Sequence, residues 1–288
     1  MRLPLLLLGL ALACQNPWRE PIQRPTGDAA HALRVGLFYA HRSLGPGYDP
    51  PMLLATRDGQ ILLQIPGEEW GGYLRVSVPP AALDSALTAL GVAPALATLD
   101  TFTSYAPDSV LTGVLYLLLD SSGGQRLVRL RGALHKTGTP DPRVPDAFRT
   151  FFARVQSAGL EAGERWEPDS VVVWLVPPDP AARDFLRATR RRRPGQSPPT
   201  TMVVVDWPAT LPDTASPRWH RPRNSYGGWR ITLSRAELAE LGNPPRRPWS
   251  RGPEEVLYRL GRRELRLDWR PLFPAEAAWI WVAEEYGW

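Results

Sequence analysis

The residues of this chain that could do chemistry are few, and its one thiol stands close to the N-terminus. Cys14 is the only cysteine among 288 residues, and it ends an apolar run that begins at Leu3. The histidines show no i, i+4 pair, the spacing that places two metal ligands on one helix face. There are four of them, His31, His41, His135 and His220. We therefore predict no metal site, and binding rather than catalysis.

Known catalytic and cofactor motifs are also missing from the sequence. No Gly-x-Ser-x-Gly elbow, Walker loop or dinucleotide fingerprint occurs. We therefore predict no catalytic residue and no cofactor, and keep an enzyme with an unfamiliar site as an alternative.

The N-terminal run has the pattern of an export signal. One charge, Arg2, precedes apolar residues up to Ala13. The run is too short to span a bilayer, but it has the length of a signal-peptide core. Two alternatives remain open, an ordinary secretory signal with a chance cysteine and a short buried helix. The polar residues that directly follow Cys14 favour a processing site.

The quartet Ala11-Leu12-Ala13-Cys14 resembles the lipobox of bacterial lipoproteins. This resemblance implies removal of residues 1–13, a diacylglyceryl thioether on Cys14 and an acyl chain such as palmitate on the new N-terminus. These chains exceed the two signals that stable membrane anchoring generally needs. In bacteria with two membranes, Gln15 in place of an aspartate resembles the pattern of lipoproteins that are sent on to the outer membrane. The protein would then face the periplasm.

The charge balance points to anionic partners in the envelope. The net charge is +5, and among 34 basic residues only Lys136 is a lysine. An abundance of arginine, proline, glycine and alanine is typical of GC-rich coding, and 29 acidic residues are interspersed. An exported protein also rarely meets nucleic acid. We therefore expect the partners to be the membrane, an envelope protein or an anionic envelope polymer, and no nucleic acid.

One arginine cluster has two interpretations. It lies at the C-terminal end of a predicted helix that begins at Asp179 and runs into Arg190, and Pro194 and Gly195 follow it. Cations at a helix C-terminus interact favourably with the helix dipole, which explains the cluster structurally. The alternative is a contact site for anionic lipid or polymer. Its members are Arg187, Arg190, Arg191, Arg192 and Arg193.

Twelve tryptophans are many for a chain of this length. Several fall in predicted strands, where they would belong to the core. Trp219 and Trp249 instead lie among proline and arginine in predicted loops. Aromatic and arginine surfaces are typical of binding sites, so we predict these two as candidate aromatic contacts.

In the first half of the mature chain, the sequence pattern predicts a polar tether, residues 14–32, followed by strands and two helices. A strand over 33–39 precedes a hairpin through Asp58-Gly59, and another strand covers 73–78. Proline then opens a helix over 81–90 that Gly91 ends. A second hairpin joins 114–119 to 126–131, and a helix over 145–158 carries a phenylalanine stripe and ends before Gly159.

The second half repeats part of this order. A strand over 171–176 and a helix after Asp179 come first. A strand after Gly228, a helix with a Ser234/Glu237 capping box and a hairpin through 256–269 then follow. The alternative is coincidence, because strand, helix and hairpin is a common order. We predict an α+β fold of mostly antiparallel sheets with a few packed helices and two related halves, residues 33–165 and 166–288.

Two further segments resemble known families. The strand-strand-helix-hairpin-helix order of residues 52–158 resembles the small bacterial metalloprotease inhibitors called emfourins. The segment Arg270-Pro-Leu-Phe-Pro-Ala-Glu276 resembles part of uncharacterised bacterial lipoproteins. The resemblances imply a binding or inhibitory module. From the whole sequence we predict a lipid-anchored lipoprotein of the cell envelope that acts as a binding or structural module. The alternatives are an envelope hydrolase and a protease inhibitor.

Overall fold

Two mostly antiparallel sheets and a few packed helices form the protein, which confirms the predicted α+β class. The structure is a computed structural model. It describes residues 25–40, 51–66, 72–107, 112–121, 124–135, 138–161, 163–176, 201–213, 215–220, 228–242 and 254–282. The helix predicted after Asp179 lies outside the described residues.

The first sheet contains eight strands in the order β5-β7-β6-β1-β2-β3-β4-β8. All neighbours are antiparallel except β5 and β7, which run parallel. Both predicted hairpins are confirmed, as β2-β3 and β6-β7. The strands are β1 (Leu33–Ala40), β2 (Pro51–Thr56), β3 (Gln60–Gln64), β4 (Tyr73–Ser77), β5 (Phe102–Ser104), β6 (Val114–Ser121), β7 (Gly124–Arg131) and β8 (Glu164–Arg165).

The turn of the first hairpin requires a glycine. Gly59 has a φ of 91°, the left-handed region that other residues rarely adopt. Its amide donates to the carbonyl of Thr56, and its own carbonyl accepts from the amide of Val78. A Cβ at Gly59 would lie 1.9 Å from the carbonyl oxygen of Val78. The Asp-Gly signal therefore sets the turn and also its close approach to the end of β4.

Three helices cover one face of the first sheet, namely α1 (Pro80–Leu90), α2 (Val92–Ala97) and α3 (Asp146–Glu161). Gly91 ends α1 with a φ of 79°, as predicted. The phenylalanine stripe of α3 is fully buried, with Phe148 against Phe151 and Phe152. The predicted end of this helix before Gly159 is wrong, because a glycine weakens a helix by only about 1 kcal/mol and α3 continues to Glu161.

The second sheet contains five strands in the order β10-β12-β13-β9-β11. Only the β10-β12 pair is parallel. Its apolar face packs against a short helix, α4 (Arg235–Glu240), which buries Leu238. The strands are β9 (Ser170–Val176), β10 (Thr201–Asp206), β11 (Trp229–Ser234), β12 (Glu254–Leu260) and β13 (Arg263–Pro271).

The capping box predicted at the start of α4 is present. The Ser234 hydroxyl accepts from the amide of Glu237, and the Glu237 carboxylate accepts from the amide of Ser234. Arg218 also donates two hydrogen bonds to this carboxylate. The hydrogen bonds from Arg218 lower the pKa of Glu237 to about 2. The cap is therefore charged at neutral pH.

The order strand, helix and hairpin occurs in both sheets, but with different neighbours. In the first sheet it comprises β4, α1 and β6-β7, and in the second β11, α4 and β12-β13. In the first sheet, the first arm of the hairpin, β6, pairs with the next strand of the sheet, β1. In the second sheet, it is the second arm, β13, that pairs with the next strand, β9. A duplication would therefore have to include an exchange of hairpin arms.

The last described residues return to the first sheet and cover its other face. We call residues 272–282 the C-terminal segment. Their buried side chains form one cluster with residues of β1 to β4 and β6. The first sheet is thus covered on both faces, which explains why its strands read as continuous apolar runs rather than as alternating patterns. The segment contributes Phe273, Ala278, Trp279, Trp281 and Val282 to the cluster.

Candidate functional site

Most of the predicted site residues lie outside the described residues. These are Cys14, Arg187, Arg190, Arg191, Arg192, Arg193 and Trp249. Their roles stay predictions. The structure therefore bears directly on only one of the candidate contact residues, Trp219.

Trp219 is half-buried and takes part in the packing of the second sheet. Its indole N–H donates to the carbonyl of Pro212 at 3.2 Å, and the N–H of Trp207 donates to the same oxygen at the same distance. The two indole rings lie 5.8 Å apart. Because both N–H groups are used internally, Trp219 could offer a ligand only part of its ring.

A buried cluster of charged side chains surrounds Glu276. Its carboxylate accepts two hydrogen bonds from Arg270, at 2.7 and 2.8 Å, and one from Arg230 at 2.5 Å. The amide of Phe273 points at the same group from 3.4 Å. Arg270 is only 2 % exposed and Glu276 only 8 %. A carboxylate shared between two guanidinium groups is therefore held away from water.

The burial of Glu276 and the charges around it act in opposite directions. Burial alone would raise the pKa of Glu276 by penalising its charged form. The positive charge and hydrogen bonds of Arg270 and the charge of Arg230 outweigh this effect, so the pKa lies below its ordinary value. Glu276 is therefore ionised in the folded protein, and its negative charge lies between the positive charges of Arg270 and Arg230.

Aromatic rings enclose the guanidinium group of Arg270. It lies 5.2 Å from the ring centroid of Trp174 in β9, 5.7 Å from that of Phe273 and 5.6 Å from that of Trp279. Electrostatic attraction between a cation and the face of a ring is strengthened by the exclusion of water. The cluster therefore links strands β9, β11 and β13 to the C-terminal segment. We call Arg230, Arg270 and Glu276 the ionic triad.

The aromatic residues of the C-terminal segment seat it on the first sheet. Trp279 lies 4.8 Å from Phe38 in β1, and Phe273 lies 5.0 Å from Tyr73 in β4. The Tyr73 hydroxyl donates to the carbonyl of Pro51, and burial raises its pKa. Ring packing therefore holds the segment on both sides of Glu276.

A second polar cluster lies where the chain enters the first sheet. Asp120 is 1 % exposed and faces Nδ1 of His31 at 3.0 Å and the Arg57 guanidinium at 3.2 Å. Arg34 donates to the backbone carbonyl of the same residue. The side chain of His31 is 43 % exposed, so one edge of its ring reaches solvent. The cluster places a buried carboxylate behind an accessible imidazole, the arrangement by which an aspartate orients a general base.

The residues just before β1 contact the first sheet, although the sequence places them in the tether. Residues 27–29 form a 3-10 helix, and Gln125 donates to the carbonyl of Ala30. Arg57 also donates its backbone amide to Ala32. The last residues assigned to the tether from sequence therefore lie against the first sheet.

Sequence reasoning missed both clusters. Arg270 and Glu276 were noted for a resemblance, but no local signal indicated that they pair with Arg230. His31 stood in a polar stretch without periodicity. The sequence signal for the second cluster is Asp120, which directly follows the apolar run 114–119. A carboxylate that becomes buried at such a position needs partners from elsewhere in the chain.

Comparison with known proteins adds no relative. No protein-family model, no curated protein and no solved structure matches this chain. Within the described residues, His, Cys, Asp and Glu side chains form no group of three that could hold a metal ion. In the same part of the chain, no helix is both long and apolar enough to cross a bilayer.

The ionic triad predicts a large effect of Glu276→Gln on stability. The substitution keeps the shape of the side chain but removes the negative charge that Arg230 and the buried Arg270 both contact. We expect the free energy of unfolding to fall by about 3 to 5 kcal/mol, measured by urea denaturation. Glu237→Gln is the matched control, since glutamine also serves in a capping box and the Arg218 pair is partly exposed. Its expected loss is about 1 kcal/mol or less.

The same comparison has a pH dependence of defined sign. Because the folded protein holds the pKa of Glu276 below its ordinary 4.5, the pair stabilises above that pH and its contribution is lost as the pH falls through the lowered value. The wild-type protein should therefore lose its advantage over Glu276→Gln on acidification below about pH 4.5. Equal slopes of stability against pH for the two proteins would contradict this account.

Proposed function

We propose that the chain is a lipid-anchored protein of the cell envelope that acts as a binding or structural module. The observation that carries the proposal is the quartet Ala11-Leu12-Ala13-Cys14 at the end of an apolar run of signal-peptide length. A cysteine modified there has a lipid function and no thiol left for other chemistry. The chain then contains no further cysteine.

The docked N-terminal residues limit how far the folded part lies from the anchor. If Gly27 is the first residue held on the sheet, at most Gln15 to Thr26 connect it to Cys14. Twelve residues of extended chain span about 40 Å. The two sheets would thus remain within one domain diameter of the bilayer. A module held there meets lipid headgroups, envelope polymers and other anchored proteins.

The arginine cluster is the proposed contact with an anionic partner. It comprises Arg187, Arg190, Arg191, Arg192 and Arg193. Near an anionic membrane surface each such residue contributes about 1 kcal/mol. The partner class that fits this chemistry is an anionic lipid or envelope polymer. In bacteria with two membranes, the proposed location is the periplasmic face of the outer membrane.

An envelope hydrolase is the second candidate, because the structure groups a histidine with a carboxylate. Asp120 would orient the ring of His31, and the accessible ring nitrogen would take a proton from an attacking water. The same cluster also has a purely structural role, since it fixes the start of β1 against Arg57. A catalytic role makes the rate of hydrolysis depend on His31, whereas a structural role alone does not.

The lipid anchor is tested by Cys14→Ala. We expect the wild-type protein to incorporate labelled fatty acid and to fractionate with membranes, and the variant to lose both, because no thioether can form. Gln15→Ala is the control that leaves the acceptor sulfur in place and should keep the label. Membrane fractionation and fluorography of labelled cells measure the two effects. An unlabelled wild-type protein would contradict the proposal.

The anionic contact is tested on the chain from Gln15 onward, which carries no lipid. Changing the five arginines of the cluster to glutamine should lower binding to phosphatidylglycerol-containing vesicles at least about tenfold, since each charge adds about 1 kcal/mol. Changing the same residues to lysine keeps the charge and should preserve binding. Vesicle co-sedimentation, with pure phosphatidylcholine as reference, gives the affinity. Equal binding of both variants would exclude the cluster as a charge-dependent contact.

The hydrolase alternative is tested with chromogenic ester substrates. If His31 is a general base, His31→Gln should lower the rate of hydrolysis by about 10² to 10⁴. The exposed His220 offers a matched control, and His220→Gln should leave the rate unchanged. Release of the chromophore is followed at constant pH. A wild-type rate no faster than buffer, or equal rates for the two variants, would remove this candidate.

A further inference from the structure

Strand β10 forms an edge of the second sheet that lacks the usual protection. Across the described ranges, β12 is the one strand that pairs with it. Edge strands normally carry charges, proline or bulges that prevent pairing with another chain. From Thr201 to Val205 this strand has none of these, and its one charge is Asp206 at the end. Such an edge is a template for an additional strand.

The exposed side chains of β10 belong to the apolar face of the sheet. Val203 and Val205 are each 36 % exposed, and apart from Phe102 they are the exposed large hydrophobic residues of the described chain. They stand beside Val256 and Tyr258 of β12, which belong to the core under α4. Residues paired across strands point to the same face. The core of the second sheet thus continues to the edge and ends there in contact with water.

The sequence of β10 is complementary to itself in one antiparallel register. Side chains that are directly opposite must share a face, so a two-fold axis perpendicular to the sheet passes through a residue position. With the axis at Val204, each Val203 lies opposite Val205 of the other copy, and the four exposed valines come together. Asp206 then lies opposite Met202, so no like charges face each other.

We propose that two copies of this chain associate through β10 in this antiparallel register, joining their second sheets edge to edge. The occupant of the edge is therefore a second copy of the protein. The backbone groups of the free edge would pair across the axis, and the valines would be buried between the copies. This surface is independent of the lipid anchor and of the arginine cluster.

A cysteine at the two-fold axis tests the proposal on the full chain. Directly opposite Cα atoms are about 4.5 to 5.5 Å apart, within the range that a disulfide bridges. Val204→Cys should therefore convert most of the protein to a covalent dimer under mild oxidation, seen on a non-reducing gel. Thr103→Cys places a cysteine on the edge strand β5 of the first sheet and should remain monomeric. The wild-type protein, whose one cysteine is Cys14, is the control for dimers that are cross-linked through Cys14.

A second variant separates specific pairing from chance collision. Adding Val203→Lys and Val205→Lys to Val204→Cys brings lysines opposite each other and should reduce the cross-linked fraction at least tenfold, a change of about 1.4 kcal/mol in association. Circular dichroism verifies that this variant folds, as its exposed positions lead us to expect.

Three outcomes would overturn the proposal. The first is cross-linking of Val204→Cys no greater than that of Thr103→Cys. The second is cross-linking that the lysines leave unchanged. The third is a disulfide adduct of Val204→Cys with a different protein in envelope fractions, since β10 would then receive another partner instead of a second copy.

Discussion

The salt bridge between Glu276 and Arg270 is the interaction on which the arrangement of the two sheets depends. Arg270 is the penultimate residue of β13, the last strand of the second sheet, and Glu276 belongs to the segment that covers the first. Five residues lie between them, so the chain has to turn back within a short stretch. Ala275, with a φ of 53°, is the one non-glycine residue in the described chain with a left-handed conformation, and it directly precedes Glu276. The ion pair and the ring packing offset the cost of this turn.

A buried ion pair is by itself a poor source of stability, because desolvation of both charges costs about as much as their attraction returns. The driving force for seating the C-terminal segment is the burial of its aromatic and aliphatic side chains on the first sheet, above all Trp279 and Phe273. What the triad adds is position. A displacement of the segment would break the hydrogen bonds that the two oxygens of Glu276 accept from Arg270 and Arg230. The charges therefore determine where the apolar side chains of the C-terminal segment pack on the first sheet.

The sequence predicts the parts of this fold whose causes are local. The Asp58-Gly59 turn and the Ser234/Glu237 cap depend on residues within three positions of each other, and both occur where the pattern indicates. The same reasoning cannot find the contact of His31 with Asp120, 89 residues apart, or that of Arg230 with Glu276, 46 residues apart. Nor does a polar stretch without periodicity reveal whether it is a tether or docks on a sheet. The polar clusters are made of such distant pairs, which is why the turn and the cap were predictable and the clusters were not.

The two sheets differ in how much surface they leave for a partner. The first is covered on one face by α1 to α3 and on the other by the C-terminal segment, so its large apolar side chains are used in the fold, apart from Phe102 in the edge strand β5. The second has one face occupied by the triad and by Asp268 paired with Arg266, and the other covered by α4, which is only six residues long. A module that binds through apolar contacts would therefore have an exposed apolar surface at the β10 edge, where Val203 and Val205 lie.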